Sequence, residues 1–200
     1  MIDPFYPVVP DARWVARLVP AGTRFVQLRI KDQPEAELRR QVREARDVCA
    51  RHGAGLVVND HWKIAIDEKC TWIHLGQEDL LDADVKAIRR AGLKLGVSTH
   101  DRAELEKGLA FNPDYVALGP IWPTALKKMP WAPQGLDRLR EWKRLIGDKP
   151  LVAIGGLTLD RALQCLEAGA DSAAVVGDIV NNPDPIAQAG AWIDATRAMA

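Results

Sequence analysis

Polar side chains that could form a chemical site first appear in the segment VQLRIKD. Gln27, Arg29 and Lys31 alternate there with Leu28 and Ile30. A period of two places the amide and both cations on one face of a strand. Two cations buried together need a counter-ion, so the pattern favours an anion site, although ion pairs with neighbouring carboxylates would satisfy them as well.

Two acidic residues follow the next apolar runs and could hold a metal ion. Asn59 and Asp60 end the run GLVVND, and Asp79 lies in HLGQEDL. If both runs are adjacent parallel strands, about 4.8 Å apart, the two carboxylates can share one hard cation. We therefore predict Mg²⁺, with water and phosphate oxygens in its other positions. Each aspartate alone could instead cap the N-terminus of a helix.

Later segments offer hydroxyl, imidazole and ammonium groups. GVSTH contains Ser98 and His100, and GPIWPTALKK contains Thr124 and Lys127 on a loop. Lys127 could close over a diphosphate or remain a solvated surface lysine. His100 could cap a helix or lie half-exposed, and we do not predict it to be the general base.

Two glycine-containing segments, IGG and VVG, end further apolar runs. They include Gly156 in the first, and Val176 and Gly177 in the second. Backbone amides that glycine leaves exposed can bind a phosphate, whereas a glycine pair alone would indicate only a turn. The position of both segments late in a series of similar units favours the phosphate site.

Eight short apolar runs are the elements that must position these residues. They span 5–9, 24–30, 55–60, 72–76, 94–99, 115–120, 151–155 and 172–177. Segments with helical periodicity lie between most of them, and in one the apolar stripe consists of Leu38, Val42, Ala45 and Cys49. Eight such units favour an α/β fold, a single TIM (β/α)8 barrel domain over residues 1–200, rather than an open doubly wound sheet.

The composition argues against several classes of partner. Lys plus Arg and Asp plus Glu number 27 each, so no net basic field would attract nucleic acid or an anionic membrane surface. Cys49, Cys70 and Cys165 form no CxxC pair, and we interpret them as buried thiols of a reducing compartment. No signal peptide and no run of about 18 apolar residues is recognisable, so a cytoplasmic protein is expected.

The chain carries seven segments, in order, that resemble the signatures of thiamine phosphate synthases. They are VQLRIKD, VVNDHWKIAID, IHLGQEDL, GVSTH, DYVALGPIWPT, VAIGGLT and AGADSAAVV. That family is a TIM barrel that joins hydroxymethylpyrimidine diphosphate to a thiazole phosphate, carboxylated or not, giving thiamine phosphate and pyrophosphate. The resemblance thus implies a transferase with two small phosphorylated heterocyclic substrates and Mg²⁺ as cofactor.

The resemblance also implies a role for each site residue. The pyrimidine diphosphate would be bound by Gln27, Arg29, Lys31, Asn59, Ser98 and Lys127. The catalytic residues among these would be Arg29, Lys31, Ser98 and Lys127. Asp60 and Asp79 would bind Mg²⁺. The thiazole phosphate would be contacted by Thr124, Gly156, Val176 and Gly177. Diphosphate would leave first, and the thiazole nitrogen would then attack a pyrimidine-methyl cation. The chain departs from the family pattern at Leu126 and Gly177, where the family usually has Thr and Ser.

Two alternatives remain open from the sequence. A thiazole tautomerase of the same superfamily would share the fold and the thiazole phosphate site, but it would not use the cations and the acidic residues. A non-catalytic thiamine phosphate binding protein could have arisen by loss of activity. Trp122 and Trp131 could line the pocket or pack the loop, and we favour packing. The sequence predicts no oligomeric state.

Overall fold

Eight parallel strands close into a barrel in chain order, and β1 pairs with both β2 and β8. The computed structural model describes residues 2–124 and 131–199. The strands are β1 Phe5–Val9, β2 Phe25–Leu28, β3 Gly55–Asn59, β4 Trp72–Leu75, β5 Lys94–Thr99, β6 Tyr115–Leu118, β7 Leu151–Ile154 and β8 Ser172–Val175. This topology confirms the predicted TIM barrel.

Helices follow every strand and cover the outside of the barrel. In the described ranges they are α1 Ala12–Leu18, α2 Glu35–His52, α3 Trp62–Asp67, α4 Gln77–Asp82, α5 Val85–Arg90, α6 Arg102–Ala110, α7 Gly135–Ile146, α8 Leu159–Glu167, α9 Gly177–Val180 and α10 Pro185–Arg197. The buried residues of α2 are those of the predicted apolar stripe, Leu38, Val42, Ala45 and Cys49. Gly53 ends this helix with a φ of 66°, a conformation that favours glycine.

The strands are buried on both faces, which explains why they appear in the sequence as nearly continuous apolar runs. One cluster fills the barrel interior and contains Tyr6, Val8, Phe25, Val57, Trp72, Tyr115, Ala117, Val152 and Ala174. A larger cluster lies between the strands and the helices, where Trp142 and Trp192 are fully buried. The three thiols, Cys49, Cys70 and Cys165, are also buried and unbridged.

Several predicted strands extend further toward their carboxyl ends than the hydrogen-bonded strands of the structure do. The ladder of β2 ends at Leu28, β3 ends at Asn59, and β7 ends at Ile154. The chain turns where the ladder stops, with positive φ at Asp60 (62°) and Gly155 (98°). The residues that follow belong to the loops at the carboxyl end of the barrel, which is the end that bears active sites in this fold.

In the part of the chain that the structure describes, no helix combines the length and the apolar character needed to cross a bilayer.

Candidate active site

Two carboxyl groups meet at the mouth of the barrel. Asp60 follows β3, and its backbone N–H donates to the carbonyl of His74 at 2.9 Å. Asp79 lies in the first turn of α4, and its carboxyl group is within hydrogen-bond reach of that of Asp60. Burial raises the pKa of Asp60, the charge of Asp79 raises it further, and Arg29 opposes both. The structure thus brings the acidic pair, Asp60 and Asp79, together beside a cation.

Helix capping does not account for this acidic pair. His61 occupies the N-cap position of α3 and Gly76 that of α4, and neither helix has a side-chain cap. Asp60 and Asp79 are half-buried, and two carboxylates that face each other away from full solvent are unfavourable unless a proton or a cation lies between them. Among the described residues, no three His, Cys, Asp or Glu side chains converge on one point. A pair of carboxylates fits Mg²⁺, which keeps water and phosphate oxygens as its remaining ligands.

A chain of hydrogen bonds crosses the barrel interior beneath the acidic pair. Gln27 Nε2 donates to Tyr6 Oη at 2.7 Å, and Tyr6 Oη lies 2.9 Å from Tyr115 Oη. His74 Nδ1 lies 2.8 Å from Tyr115 Oη, and His74 Nε2 lies 2.7 Å from Ser98 Oγ. We name these five residues the interior hydrogen-bond chain. It connects Gln27 and Ser98, two predicted substrate-binding residues on opposite sides of the barrel.

One order of donors satisfies every group in the interior hydrogen-bond chain. Tyr6 accepts from the amide nitrogen of Gln27, which can only donate, and in this order the Tyr6 proton goes to Tyr115. Tyr115 then donates to His74 Nδ1, so His74 carries its proton on Nε2 and donates to Ser98. Burial and the nearby charge of Arg29 lower the pKa of His74 to about 4, which keeps the ring neutral as this order requires. The hydroxyl proton of Ser98 is left to donate to a ligand.

Three members of the interior hydrogen-bond chain were not recognised as functional candidates from the sequence: Tyr6, His74 and Tyr115. Each lies within an apolar strand run, where an aromatic ring indicates ordinary packing. The sequence did contain one signal. Side chains alternate between the two faces of a strand, and counting by twos places all three residues on the inward face, as it does Gln27 and Ser98. Their contact across the barrel depends on its closure, which a sequence pattern does not contain.

The remaining residues predicted for the first substrate lie in different environments. Asn59 is buried at the end of β3 and is paired in register with His74. Lys31 is exposed in the loop after β2, two residues beyond Arg29. Lys127 lies outside the described residues, as does Leu126. The structure therefore brings Asn59 and Arg29 to the mouth of the barrel and leaves Lys31 at its solvent edge.

A second region is formed by the loops after β6, β7 and β8. Gly156 has a φ of 67°, and a Cβ at this position would lie 2.5 Å from the Pro123 carbonyl oxygen, so only glycine fits. The half-buried Thr124 follows Pro123. Val176 occupies the N-cap position of α9, and Gly177 is the first residue of that helix. The four residues predicted for the thiazole phosphate thus lie at the same end of the barrel, on loops or at the start of α9.

His100 and Trp131 form a separate contact at this end of the barrel. The His100 backbone N–H and Nδ1 both contact Glu104 Oε2, at 2.8 and 2.7 Å. The rings of His100 and Trp131 are stacked with centroids 4.0 Å apart. Asp101, not His100, is the N-cap of α6. The stacking on His100 gives Trp131 a packing contact at this end of the barrel.

A comparison with protein families decides the relationship of this chain. The model for thiamine monophosphate synthase matches residues 6–179, a span that includes nearly all of β1, the other seven strands and most of α9. The chain belongs to the thiamine monophosphate synthase family.

Curated relatives in this family resemble the chain over almost their full length. A thiamine-phosphate synthase of Rhizobium etli is 62% identical over 195 residues, which cover 98% of this chain and 96% of that protein. The thiamine-phosphate synthase of Cronobacter sakazakii is 51% identical over 194 residues, with 97% and 89% covered.

Solved structures agree on the fold of the family. A thiamine phosphate pyrophosphorylase from Pyrococcus furiosus superposes with a TM-score of 0.86 at 24% identity, covering 98% of this chain and 96% of that one. A 3-hexulose-6-phosphate synthase superposes with a TM-score of 0.66 at 16% identity, covering 96% and 98%. At these identities the likeness supports the TIM barrel alone.

Proposed function

We propose that this chain is a thiamine phosphate synthase, which condenses hydroxymethylpyrimidine diphosphate with a thiazole phosphate and releases pyrophosphate. The observation that carries the proposal is the acidic pair beside Arg29 at the mouth of the barrel. Arg29, together with a metal ion held by the two carboxylates, would suit a diphosphate. The glycine-lined loops after β7 and β8 would suit a single phosphate. The family and the names of its curated relatives support the same reaction.

The first substrate would lie with its diphosphate toward Arg29, Lys31 and Lys127 and its ring over the interior hydrogen-bond chain. Gln27 and Ser98 stand at the two ends of that chain, where they can contact opposite edges of a planar ring. Asn59 is buried at the end of β3, next to Asp60 in the chain. Buried, mutually connected polar groups hold a ring in one orientation at little entropic cost.

Asp60 and Asp79 would hold Mg²⁺, which when bound would supply positive charge to the departing diphosphate. Arg29 contributes a second positive charge at the same place. The carbon–oxygen bond between the pyrimidine methylene and the diphosphate breaks with its electron pair on oxygen, and these charges stabilise the leaving group. The thiazole nitrogen then gives its lone pair to the methylene carbon, forming the new carbon–nitrogen bond.

The second substrate would place its phosphate on the loops that contain Gly156, Val176 and Gly177, with Thr124 beside them. No strong base is needed, because the attacking nitrogen has a free lone pair. The chemistry depends on positioning and on charge stabilisation.

A thiazole tautomerase is a weaker candidate for this site. An isomerase of a monophosphate has no diphosphate to neutralise, so it would gain nothing from Arg29 and the acidic pair. A non-catalytic binding protein could keep all of these groups. Turnover therefore separates it from the synthase.

The proposal is tested by measuring pyrophosphate and thiamine phosphate formed from both substrates, with Mg²⁺ and with a chelator. We expect product only with the metal, and we expect Asp79→Asn to lower kcat by roughly 100-fold, because the leaving group loses charge stabilisation. Glu78→Gln is the matched control, since it removes a neighbouring carboxylate that is exposed in the same helix turn.

Thermal melting would establish that each variant is folded. A folded protein that binds both substrates and forms no product would overturn the synthase proposal in favour of a binding protein. Full activity of Asp79→Asn would overturn the metal role instead.

A further inference from the structure

Arg161, in the first turn of α8, has no part in the site as described so far. Its Nη1 donates to the carbonyl oxygen of Gly156 at 2.6 Å. Its guanidinium carbon lies 5.4 Å from the centroid of the Trp122 ring. One side chain therefore contacts both the loop after β6 and the loop after β7.

These two loops already approach each other closely through their backbones. Ile121 N donates to Ile154 O at 2.9 Å, and Trp122 N donates to Gly155 O at 3.1 Å. A Cβ at Gly155 would lie 2.6 Å from the Pro120 Cα. Arg161 stabilises the contact between these two loops from α8, because its planar guanidinium can stack on Trp122 and donate to Gly156 at the same time.

The hydrogen bond from Arg161 also fixes the orientation of a peptide plane. The bond between Gly156 and Leu157 is trans, so its C=O and N–H point in opposite directions. With the carbonyl held by Arg161, the Leu157 N–H is directed away from α8. In the part of the chain that the structure describes, no acceptor receives the N–H of Gly156 or of Leu157. Both amides remain available to an anion.

We propose that Arg161 is a positioning residue for the second substrate, which holds the glycine loop (residues 155–157) in its phosphate-binding form and adds a positive charge to it. This rests on the proposed function, which places the thiazole phosphate on that loop. The other residues assigned to this substrate, Thr124, Gly156, Val176 and Gly177, are uncharged. A phosphate dianion at such a loop benefits from a cation behind the peptide that it contacts.

The test compares Arg161→Gln, Arg161→Lys and the control Arg17→Gln in steady-state kinetics with each substrate varied in turn. Arg17 also lies over a tryptophan, at 5.0 Å from the Trp14 ring centroid in α1, so its loss controls for removal of an arginine–tryptophan contact. We expect Arg161→Gln to raise KM for the thiazole phosphate by about 10- to 100-fold, from the loss of a charge-assisted hydrogen bond. KM for the pyrimidine diphosphate should change less than about twofold.

The remaining variants separate charge from geometry. Arg161→Lys keeps the charge but loses the planar fork, so we expect it to recover part of the lost affinity. Trp122→Phe keeps a ring of weaker quadrupole and should raise the same KM by a few-fold. Arg17→Gln should match the wild type in both KM values.

Calorimetric titration with the thiazole phosphate alone provides a readout that does not need turnover. Weaker binding by folded Arg161→Gln would support the inference even if the wild type made no thiamine phosphate, a result that would overturn only the proposed function. Unchanged binding and unchanged KM in an active enzyme would overturn the inference alone. Equal losses for both substrates would also overturn it, because they would indicate a general structural role.

Discussion

The imidazole of His74 sets the order of the interior hydrogen-bond chain because the ring is neutral. Its side chain is 7% exposed, and burial lowers its pKa to about 4. A neutral ring donates from one nitrogen and accepts at the other, whereas a protonated ring donates from both. Protonation would therefore put a donor on Nδ1, and Tyr115 could no longer donate to the ring. Neutrality at this one residue keeps the substrate-facing ends of the chain defined.

This depressed pKa predicts a dependence of stability on pH. The unfolded chain protonates His74 near 6.5 and the folded chain only near 4, so the unfolded state binds more protons between these values. The associated stability is present above pH 6.5, is lost as pH falls toward 4, and changes no further below that. His74→Gln lacks this proton uptake. As pH falls from 6.5 to 4, its free energy of unfolding relative to that of the wild type should therefore rise by up to about 3 kcal/mol.

Urea denaturation between pH 4 and pH 7.5 would measure this difference. His52→Gln, at the exposed C-terminal end of α2, controls for removal of an imidazole from the surface. Parallel stability curves for the wild type and His74→Gln would contradict the assignment of a buried, neutral His74.

Among the elements, β5 and β6 fit together because Gly96 has no side chain where the ring of Tyr115 lies. Gly96 in β5 is paired in register with Tyr115 in β6. A Cβ at Gly96 would lie 2.0 Å from Tyr115 Cζ and 2.4 Å from its Oη. The phenol ring therefore occupies the space above Gly96, and this places its hydroxyl between Tyr6 and His74.

We predict that Gly96→Ala destabilises the barrel by about 1–3 kcal/mol, because the methyl group overpacks a filled interior. The displaced ring should also interrupt the interior hydrogen-bond chain and lower kcat/KM for the pyrimidine diphosphate. Gly190→Ala in α10 is the control, since a Cβ there meets nothing within 4 Å. Alanine in a helix should stabilise the protein by up to about 1 kcal/mol. Equal stability of the two variants in denaturant titrations would disprove the packing argument.

The sequence predicted the strands well because each is buried on two faces and therefore appears as a nearly continuous apolar run. It predicted the strand ends less well, since Arg29, Asp60 and Gly155 leave the ladder to enter loops, and propensity does not mark that point. The residues at these ends are charged or glycine, which made them visible as site candidates. Asp60, Asp79 and Arg29 do come together in the structure.

Other parts of the site could not be predicted for physical reasons. Tyr6 and Tyr115 are 109 residues apart, and their contact exists only because the barrel closes. The contact of Arg161 with Gly156 depends on a side-chain conformation, and an arginine next to Asp160 at the start of a helix shows no sequence pattern that would indicate it. Lys31 was assigned the inward face of β2 from its period, but the ladder has ended before that position.

At the scale of the whole molecule, the two ends of the chain meet at the barrel end opposite the site. Asp3, which precedes β1, accepts a hydrogen bond from Arg197 Nε at 3.1 Å, and its carbonyl accepts from Ser172 Oγ at 2.8 Å. Arg197 Nη2 also donates to Gly22 O at 2.9 Å. These contacts support the closure of β1 against β8, and the loops at the other end are left to bind substrates.

A closed barrel without an edge strand has a consequence for the chemistry of its thiols. Burial raises the pKa of Cys49 and of Cys165 to about 12 and that of Cys70 to about 11, so none is a reactive thiolate in the native state. Alkylating reagents can modify them only after the surrounding structure opens. Rates of modification therefore measure the free energy of opening around each thiol.

Cys49 in α2 and Cys70 just before β4 lie near each other, since the charge of Cys70 raises the pKa of Cys49, whereas Cys165 in α8 lies in another part of the barrel wall. Because each strand is paired on both sides, we expect opening to be cooperative. Single-thiol variants should then be alkylated at the same rate in native buffer, after correction for their rates in the unfolded chain. A faster rate at one position would instead identify a part of the barrel that opens independently of the rest. Oxidants and proteases would then attack the enzyme at that part first.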